Sequence, residues 1–176
     1  VWVDYIGPDE SQMSNLANEL DLHALAIEDA LHSHQRPKVD YYADHLFLAC
    51  HALTLDKETG SLATSEIDAF IKGRCLVTVR HDSNFDMGSV LQRWSLSTNS
   101  QSIDVSYLLY NLLDVIIDGY LEAVVRFDDY YDDINDAVAF MEACGMKVLR
   151  TECVEAGGIL IAGVDDKDHL IKERWN

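Results

Sequence analysis

The chain has 176 residues, of which 48% are hydrophobic, enough for one domain with a substantial core. Its 31 acidic and 13 basic side chains give a formal net charge of −18. This charge repels polyanions and argues against nucleic acid or an anionic membrane surface as a direct partner. The acidic excess either attracts cations or simply keeps a domain in solution, and composition leaves both interpretations open. No apolar run approaches the ~20 residues that span a bilayer, so we expect no transmembrane part.

The first part of the chain alternates between predicted strands and helices. Residues 1–5 alternate apolar and polar side chains, which predicts a strand. Two helices follow, the first opening at about residue 8 and the second covering about residues 23–31. Pro37 ends this helical pattern, because proline disfavours helical backbone in the residue before it.

A strand-rich stretch and a third helix come next. Period-two or continuous apolar patterns predict strands at residues 39–42, 45–55, 65–71 and 75–80. A helix is predicted over residues 83–96, with four large side chains facing the core: Phe85, Val90, Leu91 and Trp94.

The longest helical pattern in the chain runs over residues 102–140. A helix of that length rises about 60 Å at ~1.5 Å per residue. Because it is too long to pack end to end on a domain of this size, we expect its far half to project or to meet other chains.

Four segments carry a resemblance to a known family. They are VWVDY at residues 1–5, LHALAIEDALHSHQRPKVDYYADHLFL at 22–48, CLVTVRH at 75–81 and YLLYNLLDVIIDGY at 107–120. Together, in order and approximate spacing, they resemble the cytoplasmic domain of the CorA family of magnesium channels over residues 1–140. The resemblance implies an α/β fold: a mixed sheet of six or seven strands with helices on both faces, an α/β/α sandwich, and a long helix that begins a stalk.

The same resemblance implies a function. The chain would be a cytosolic Mg²⁺-sensing regulatory domain of a CorA-type channel, gated by cation binding between the subunits of a pentamer at the cytoplasmic face of the cell membrane. The family's pore helices and its Gly-Met-Asn signature do not occur in this sequence. The expected ligand is Mg²⁺, with Co²⁺, Ni²⁺ or Zn²⁺ as alternatives, and a zinc-transporting member of the superfamily is the alternative function.

Glu28 and Asp29 are the first candidate metal ligands. Hard divalent cations take oxygen ligands, and Mg²⁺ keeps several waters while touching one or two carboxylates. Adjacent helical side chains point about 100° apart, so the two acids serve neighbouring ions, or an ion shared with another helix, more readily than one ion together. In the family, acids at these two positions line cation sites between subunits. Without the resemblance, a solvated helix end is the simpler interpretation.

The long helix supplies the remaining candidates. The acid of the YLLYxLxD pattern contributes to a second intersubunit site in the family, and here it is Asp114. Asp118 and Glu122 follow at i+4 and i+8, on the same stripe of the helix, and we add them by geometry. Like charges at this spacing destabilise a helix by roughly 0.2–0.5 kcal/mol per pair, which a bound cation or the nearby Arg126 would relieve. The family's further stalk aspartate has no counterpart before Phe140, so weak affinity is expected.

Other polar clusters are weaker indications of a functional site. The aspartates of residues 128–136 predict a solvated acidic face. The histidines, among them His32, His34 and His81, have no fixed metal-ligand spacing and are expected at the surface. No hydrolase, zinc-protease, P-loop or dinucleotide signature occurs, so we expect no enzyme, although a metal-dependent hydrolase and a metal-free interaction domain are alternatives.

The tail, residues 141–176, departs from the family where the stalk should continue. Residues 147–154 and 159–164 alternate like a β-hairpin, and 165–174 predict a short helix. The family carries such a strand, strand and helix before its first tryptophan strand, and joining Asn176 to Val1 gives continuous family sequence. We therefore predict a rotated chain order, with the tail in the same domain and a break between Phe140 and Met141.

Overall fold

The computed structural model describes residues 1–56, 60–96, 104–145, 147–154, 158–164 and 170–175. Within it the chain divides into two compact units. The first unit comprises Val1–Thr54 and Ala63–Tyr120, and the second comprises Leu55–Leu62 and Leu121–Asn176.

The first unit is built on a mixed five-stranded sheet. Its strands are β1 (Trp2–Ile6), β2 (Lys38–Tyr41), β3 (Leu46–Leu55), β4 (Leu62–Lys72) and β5 (Cys75–Arg80), in the spatial order β1-β5-β4-β3-β2. β1 runs parallel to β5, whereas β5 is antiparallel to β4 and β2 is antiparallel to β3. The parallel pair places the first strand of the chain against the fifth.

Four helices accompany the strands: α1 (Glu10–Leu20), α2 (Ala24–Leu31), α3 (Met87–Leu96) and α4 (Val105–Ala143). A capping box starts α1, because Asp9 Oδ1 accepts from the Gln12 amide at 2.7 Å and the Asp9 amide donates back to Gln12 Oε1 at 2.9 Å. The helix stops at Asp21, whose φ of 48° is left-handed. α2 therefore begins directly afterwards, capped by His23.

Helices cover both faces of the sheet. On one face, α1 and α2 bury Met13 and Ala26 against Phe47 and Phe70. On the other face, α3 and α4 pack against the strand residues that alternate with Phe47 and Phe70. Leu112 of α4 is buried in this second core. This arrangement confirms the α/β/α architecture and follows from strands that are apolar on both sides.

α4 makes a close backbone approach to β3. A Cβ at Gly119 would lie 2.4 Å from the carbonyl oxygen of Leu53, so only glycine lets the helix come this near. The neighbouring Tyr120 hydroxyl donates to the carbonyl oxygen of His51 at 3.1 Å. The two residues thus fix the first half of α4 against one strand.

The second unit contains the rest of α4 and a separate antiparallel sheet. Strands β6 (Lys147–Val154), β7 (Gly158–Val164) and β8 (Leu170–Trp175) pair in that order. Ala137 and Met141 of the helix are buried together, with Ile134 and Val148 packed against them.

Several predictions about the elements are wrong. α3 begins at Met87 and not at residue 83, because the Asp86 carboxylate accepts from the Gly88 amide and the Ser89 hydroxyl and forms the turn that starts the helix. Leu91 is exposed, since α3 turns its Met87 and Val90 side to the sheet. The strands form two sheets of five and three, not one of six or seven.

The tail also differs from its prediction. Residues 170–175 are strand β8 and not helix, because they pair with β7, and residues 165–169 lie outside the described part. α4 continues through Phe140 and Met141 to Ala143, so the predicted break there is wrong. Asn176 is not among the described residues, and the rotated chain order and shared domain stay predictions. No helix in the described ranges is long and apolar enough to cross a membrane.

We predict that Gly119→Ala destabilises the protein. Alanine in place of a mid-helix glycine normally stabilises by about 1 kcal/mol, but the clash with the Leu53 backbone reverses the sign and should cost about 1–3 kcal/mol. Urea denaturation measures the difference. Asn135→Ala, at an exposed position of the same helix, is the propensity control and should be neutral or stabilising. A stability gain for Gly119→Ala would contradict the close approach.

Candidate functional site

α2 presents the first pair of candidate acids. Because Ala26, Ile27 and Ala30 are buried against the sheet, Glu28 points to solvent and Asp29 lies at the margin, half-buried. The Glu28 carboxylate has no hydrogen bond or ion pair among the described residues. Its main-chain carbonyl accepts from His32 Nδ1 at 2.7 Å, which closes the end of the helix.

Asp29 is held by a base of its own chain. Lys38 Nζ, at the start of β2, donates to Asp29 Oδ2 at 2.6 Å and lies 2.9 Å from Asp40 Oδ2. The hydrogen bond from Asp29, followed by that from Asp40, raises the pKa of Lys38 above its ordinary value. Lys38 is therefore a permanent cation shared by two carboxylates.

Asp114 and Asp118 on α4 are held in the same way. The guanidinium of Arg93, on α3, donates Nη1 to Asp114 Oδ2 and Nη2 to Asp118 Oδ2. The two side chains remain 39% and 53% exposed, so both carboxylates keep a face toward water. The hydrogen bonds, first that to Asp118, raise the pKa of Arg93 further.

Arg93, which the sequence did not single out, is the base that holds two acids of this stripe. Arg126 lies over the ring of Tyr130, 4.4 Å from the centroid, and its Nη1 is 4.0 Å from Asp129. Arg93 lies 21 residues before Asp114 in the chain, and only the packing of α3 beside α4 brings them together. Helical spacing could therefore not identify it.

Glu122 belongs to the second unit. It is exposed and lines a shallow pocket with Leu55, Val125, Arg126 and Asp129. The aspartates at positions 128, 129, 132, 133 and 136 are all exposed, as a solvated acidic face requires.

The candidate acids of the first unit form two separate sets. Glu28 and Asp29 are carried by α2 on one face of the sheet, and Asp114 and Asp118 are carried by α4 on the other. The members of each set are neighbours on one helix, and the sheet lies between the two sets. The two sets of a single chain therefore cannot bind the same ion.

A third cluster escaped the sequence interpretation. Glu66 and Asp68 of β4 and His81, which follows β5, each offer a ligand atom, and these atoms lie within 4.8 Å of one another. Glu66 accepts from the amides of His34 at 2.5 Å and Gln35 at 3.0 Å. The signal in the sequence was a pair of acids, two residues apart, in a strand whose following residues are mostly apolar.

Asp68 is the most unusual member of this cluster. The residue is 0% exposed, and neither carboxylate oxygen has a hydrogen-bond partner within the described part of the chain. Burial raises the pKa of Asp68 to about 8, and the negative charges of Glu66 and Asp29 act in the same direction while Lys38 opposes them. The carboxyl group thus costs stability whenever it is ionised without a counter-ion.

We predict a stability effect of Asp68 that depends on pH in metal-free protein. The unfolded chain releases this proton near pH 4 and the folded one near 8. The contribution of this group to the free energy of unfolding is therefore most favourable below about pH 4. Between pH 4 and 8 the free energy of unfolding falls by about 1.4 kcal/mol for each pH unit. Urea denaturation in chelator at pH 5.5 and 7.5 should show Asp68→Asn gaining on the wild type at the higher pH.

Asp86 supplies the control for this pH effect. Its carboxylate is exposed, and hydrogen bonds from the Ser89 hydroxyl and the Gly88 amide lower its pKa. Such a group is already ionised in both states above pH 5, so Asp86→Asn should change stability equally at the two pH values. Identical pH dependence in wild type and Asp68→Asn would contradict the prediction.

Comparison with known proteins identifies the family to which the chain is similar. Residues 1–147 match the family of CorA-like Mg²⁺ transporter proteins. YfjQ of Bacillus subtilis (strain 168), described as a metal ion transporter, is 31% identical over 136 residues, which are 77% of this chain and 41% of that protein. The cobalt/magnesium transport protein CorA of Thermotoga maritima is 24% identical over 139 residues, which are 78% of this chain and 40% of that protein.

A solved structure agrees with the fold. The soluble domain of CorA from Methanocaldococcus jannaschii matches with a TM-score of 0.58 and 17% identity, over 78% of this chain and 55% of that one. The chain spans about two fifths of the length of the two curated relatives. Since the family match covers most of its residues, the chain belongs to the family of CorA-like Mg²⁺ transporter proteins.

Proposed function

We propose that the chain is the cytosolic, cation-sensing regulatory domain of a CorA-type divalent cation channel. In this proposal the full-length protein is a homopentamer that crosses the membrane through helices absent from this chain, and the domain lies at the cytoplasmic face. Mg²⁺ bound between subunits holds the closed state. The proposed ligands are Glu28, Asp29, Asp114, Asp118 and Glu122.

One observation carries the proposal. The two acid sets of the first unit lie on opposite faces of the sheet, and each keeps carboxylate oxygens in water. An ion that joins the sets must therefore join two copies of the chain. Carboxylate oxygens with room for several waters are the environment that Mg²⁺ prefers.

Binding of this kind couples occupancy to assembly. A ligand shifts an equilibrium only by its difference in affinity between the two states. An ion bridging two subunits gains its second carboxylate set only where those subunits are close. Loss of the ion would leave unscreened acids facing each other, and a net charge of −18 per chain would favour separation.

The internal bases set the strength of these sites. Lys38 already occupies one oxygen of Asp29, and Arg93 occupies one oxygen each of Asp114 and Asp118. Mg²⁺ has to displace these bases or use the remaining oxygens, so each site should be weak. The occupancy of a site changes most at ion concentrations near its dissociation constant. A weak site therefore responds to changes at high ion concentration, as a sensor of an abundant cation must.

We predict that Mg²⁺ at ~10 mM stabilises the chain more than NaCl of equal ionic strength. Salt of any kind screens the acidic charge, whereas a specific site adds about 1.4 kcal/mol at ten times Kd. Asp29→Ala or Asp114→Ala should remove the excess, which thermal denaturation measures as a shift in Tm. The excess should grow with protein concentration, because the ligands come from different copies.

The exposed acid Asp136, further along α4, provides the matched control. Asp136→Ala removes the same charge and should leave the Mg²⁺ excess unchanged. An excess that survives both Asp29→Ala and Asp114→Ala, and that is equally large in dilute protein, would overturn the assignment. If Zn²⁺ at micromolar concentration produced the excess at these residues and Mg²⁺ did not, the zinc-transporting alternative would replace the proposal.

A second prediction concerns Arg93. Arg93→Gln frees the carboxylates of Asp114 and Asp118, so stability without Mg²⁺ should fall by up to about 1 kcal/mol, as for exposed ion pairs. The Mg²⁺-dependent excess should increase, since the competing cation is gone. Arg74→Gln makes the same change in charge at an exposed residue between β4 and β5, so it controls for general electrostatics and should increase the excess less. A smaller Mg²⁺ excess in Arg93→Gln would contradict competition at this site.

A further inference from the structure

The cluster of Glu66, Asp68 and His81 lies inside one chain, apart from the acids on α2 and α4. Along β4, Glu66 and Asp68 alternate with Ile67 and Ala69, whose side chains pack beneath α3 and α4. The two carboxylates therefore project to the face covered by α1 and α2. The β4–β5 register pairs Ile67 with Arg80, which brings the following residue, His81, level with Glu66.

This cluster contains an unusual concentration of unsatisfied polar atoms. Over the residues that the structure describes, three buried side-chain atoms lack a hydrogen-bond partner. They are the two carboxylate oxygens of Asp68 and Nε2 of His81. Buried polar groups without partners are costly and normally rare, so three in one place indicate a missing ligand that accepts lone pairs. A cation is such a ligand.

Glu66 is oriented by the loop between α2 and β2. The amides of His34 and Gln35 donate to its two carboxylate oxygens, and His34 adopts a left-handed φ of 77° that directs them. Successive amides of this kind form a small anion-binding nest. Each oxygen retains a further lone pair, so Glu66 is held in position and can still ligate an ion.

We propose that Glu66, Asp68 and His81 form a partly buried binding site for a divalent transition metal ion, of the Zn²⁺ or Co²⁺ class, within a single subunit. One imidazole nitrogen and two carboxylates make a mixed donor set that suits these ions, whereas Mg²⁺ prefers oxygen ligands and water. Three protein ligands leave the fourth tetrahedral position to a water molecule.

The geometry requires only a small closure. Tetrahedral ligands at roughly 2.0–2.2 Å from the ion lie about 3.4 Å from each other, compared with separations of up to 4.8 Å here. Side-chain rotation can provide this closure, because Glu66 and Asp68 lie on β4 and His81 directly follows the adjacent strand β5. The local charge also favours a cation, since Glu66 and Asp29 both act on Asp68 and Lys38 is the base that offsets them.

The experiment titrates chelator-treated full chain with Zn²⁺ by calorimetry and with Co²⁺ by absorption spectroscopy. We expect one equivalent per chain, a rise in Tm with Zn²⁺, and a tetrahedral Co²⁺ spectrum without thiolate charge-transfer bands, which excludes the cysteines as ligands. Asp68→Asn and His81→Gln should each weaken binding about 10-fold or more. His32→Gln removes an exposed histidine outside the cluster and should leave the affinity unchanged.

Two results would overturn the site. One is the absence of stoichiometric binding at micromolar Zn²⁺, which would leave a buried water as the partner of Asp68. The other is binding that persists in both Asp68→Asn and His81→Gln, each verified as folded by circular dichroism. These outcomes are independent of the Mg²⁺ response, which depends on Asp29 and Asp114, so the two proposals can fail separately.

Discussion

In the first unit a single base serves two acids at several places, and this sharing organises the charged surface of the domain. Lys38 contacts Asp29 and Asp40, Lys72 contacts Asp44 and Asp21, and Arg93 bridges Asp114 and Asp118. With 13 basic side chains for 31 acidic ones, there are too few bases for each carboxylate to have its own. Three of the proposed ligands, Asp29, Asp114 and Asp118, share their base with another acid.

Sharing has different consequences at the surface and in the interior. Where carboxylates are exposed, water completes their solvation and an added ion competes with Lys38 or Arg93. Asp68 is fully buried and has no hydrogen-bond partner among the described residues, so its ionised form is costly unless a cation binds beside it. By contrast, buried Arg80 is satisfied, because its guanidinium donates to both oxygens of Asp4 and to the carbonyl of Phe85.

Local patterns were sufficient for much of the fold. Apolar periodicity placed α1, α2 and β5 within a residue or two of their bounds, since these elements turn a single stripe or a continuous apolar run to the core. The start of α3 failed because a side-chain turn at Asp86 competed with the helix. The helix predicted in the tail failed because pairing with β7 prevailed over the local preference of residues 170–175.

The candidate sites show the same boundary between local and tertiary information. Glu28, Asp29 and Asp114 were found through segments of contiguous sequence. Arg93 and the Glu66, Asp68 and His81 cluster depend on which elements become neighbours, and spacing along the chain does not encode that. A strand pattern interrupted twice by acids on the same face was the one local sign of the buried cluster.

The lengths of the edge strands have a consequence for assembly. β1 and β2 form the two edges of the five-stranded sheet and contain only five and four residues. On β2 the charged Lys38 and Asp40 alternate with Val39 and Tyr41, an arrangement that discourages a second sheet from adding a strand there. Copies of the chain therefore have little to gain by extending their sheets into one another. In the proposed assembly, contact between copies would therefore involve the helical faces, where the proposed carboxylate ligands lie.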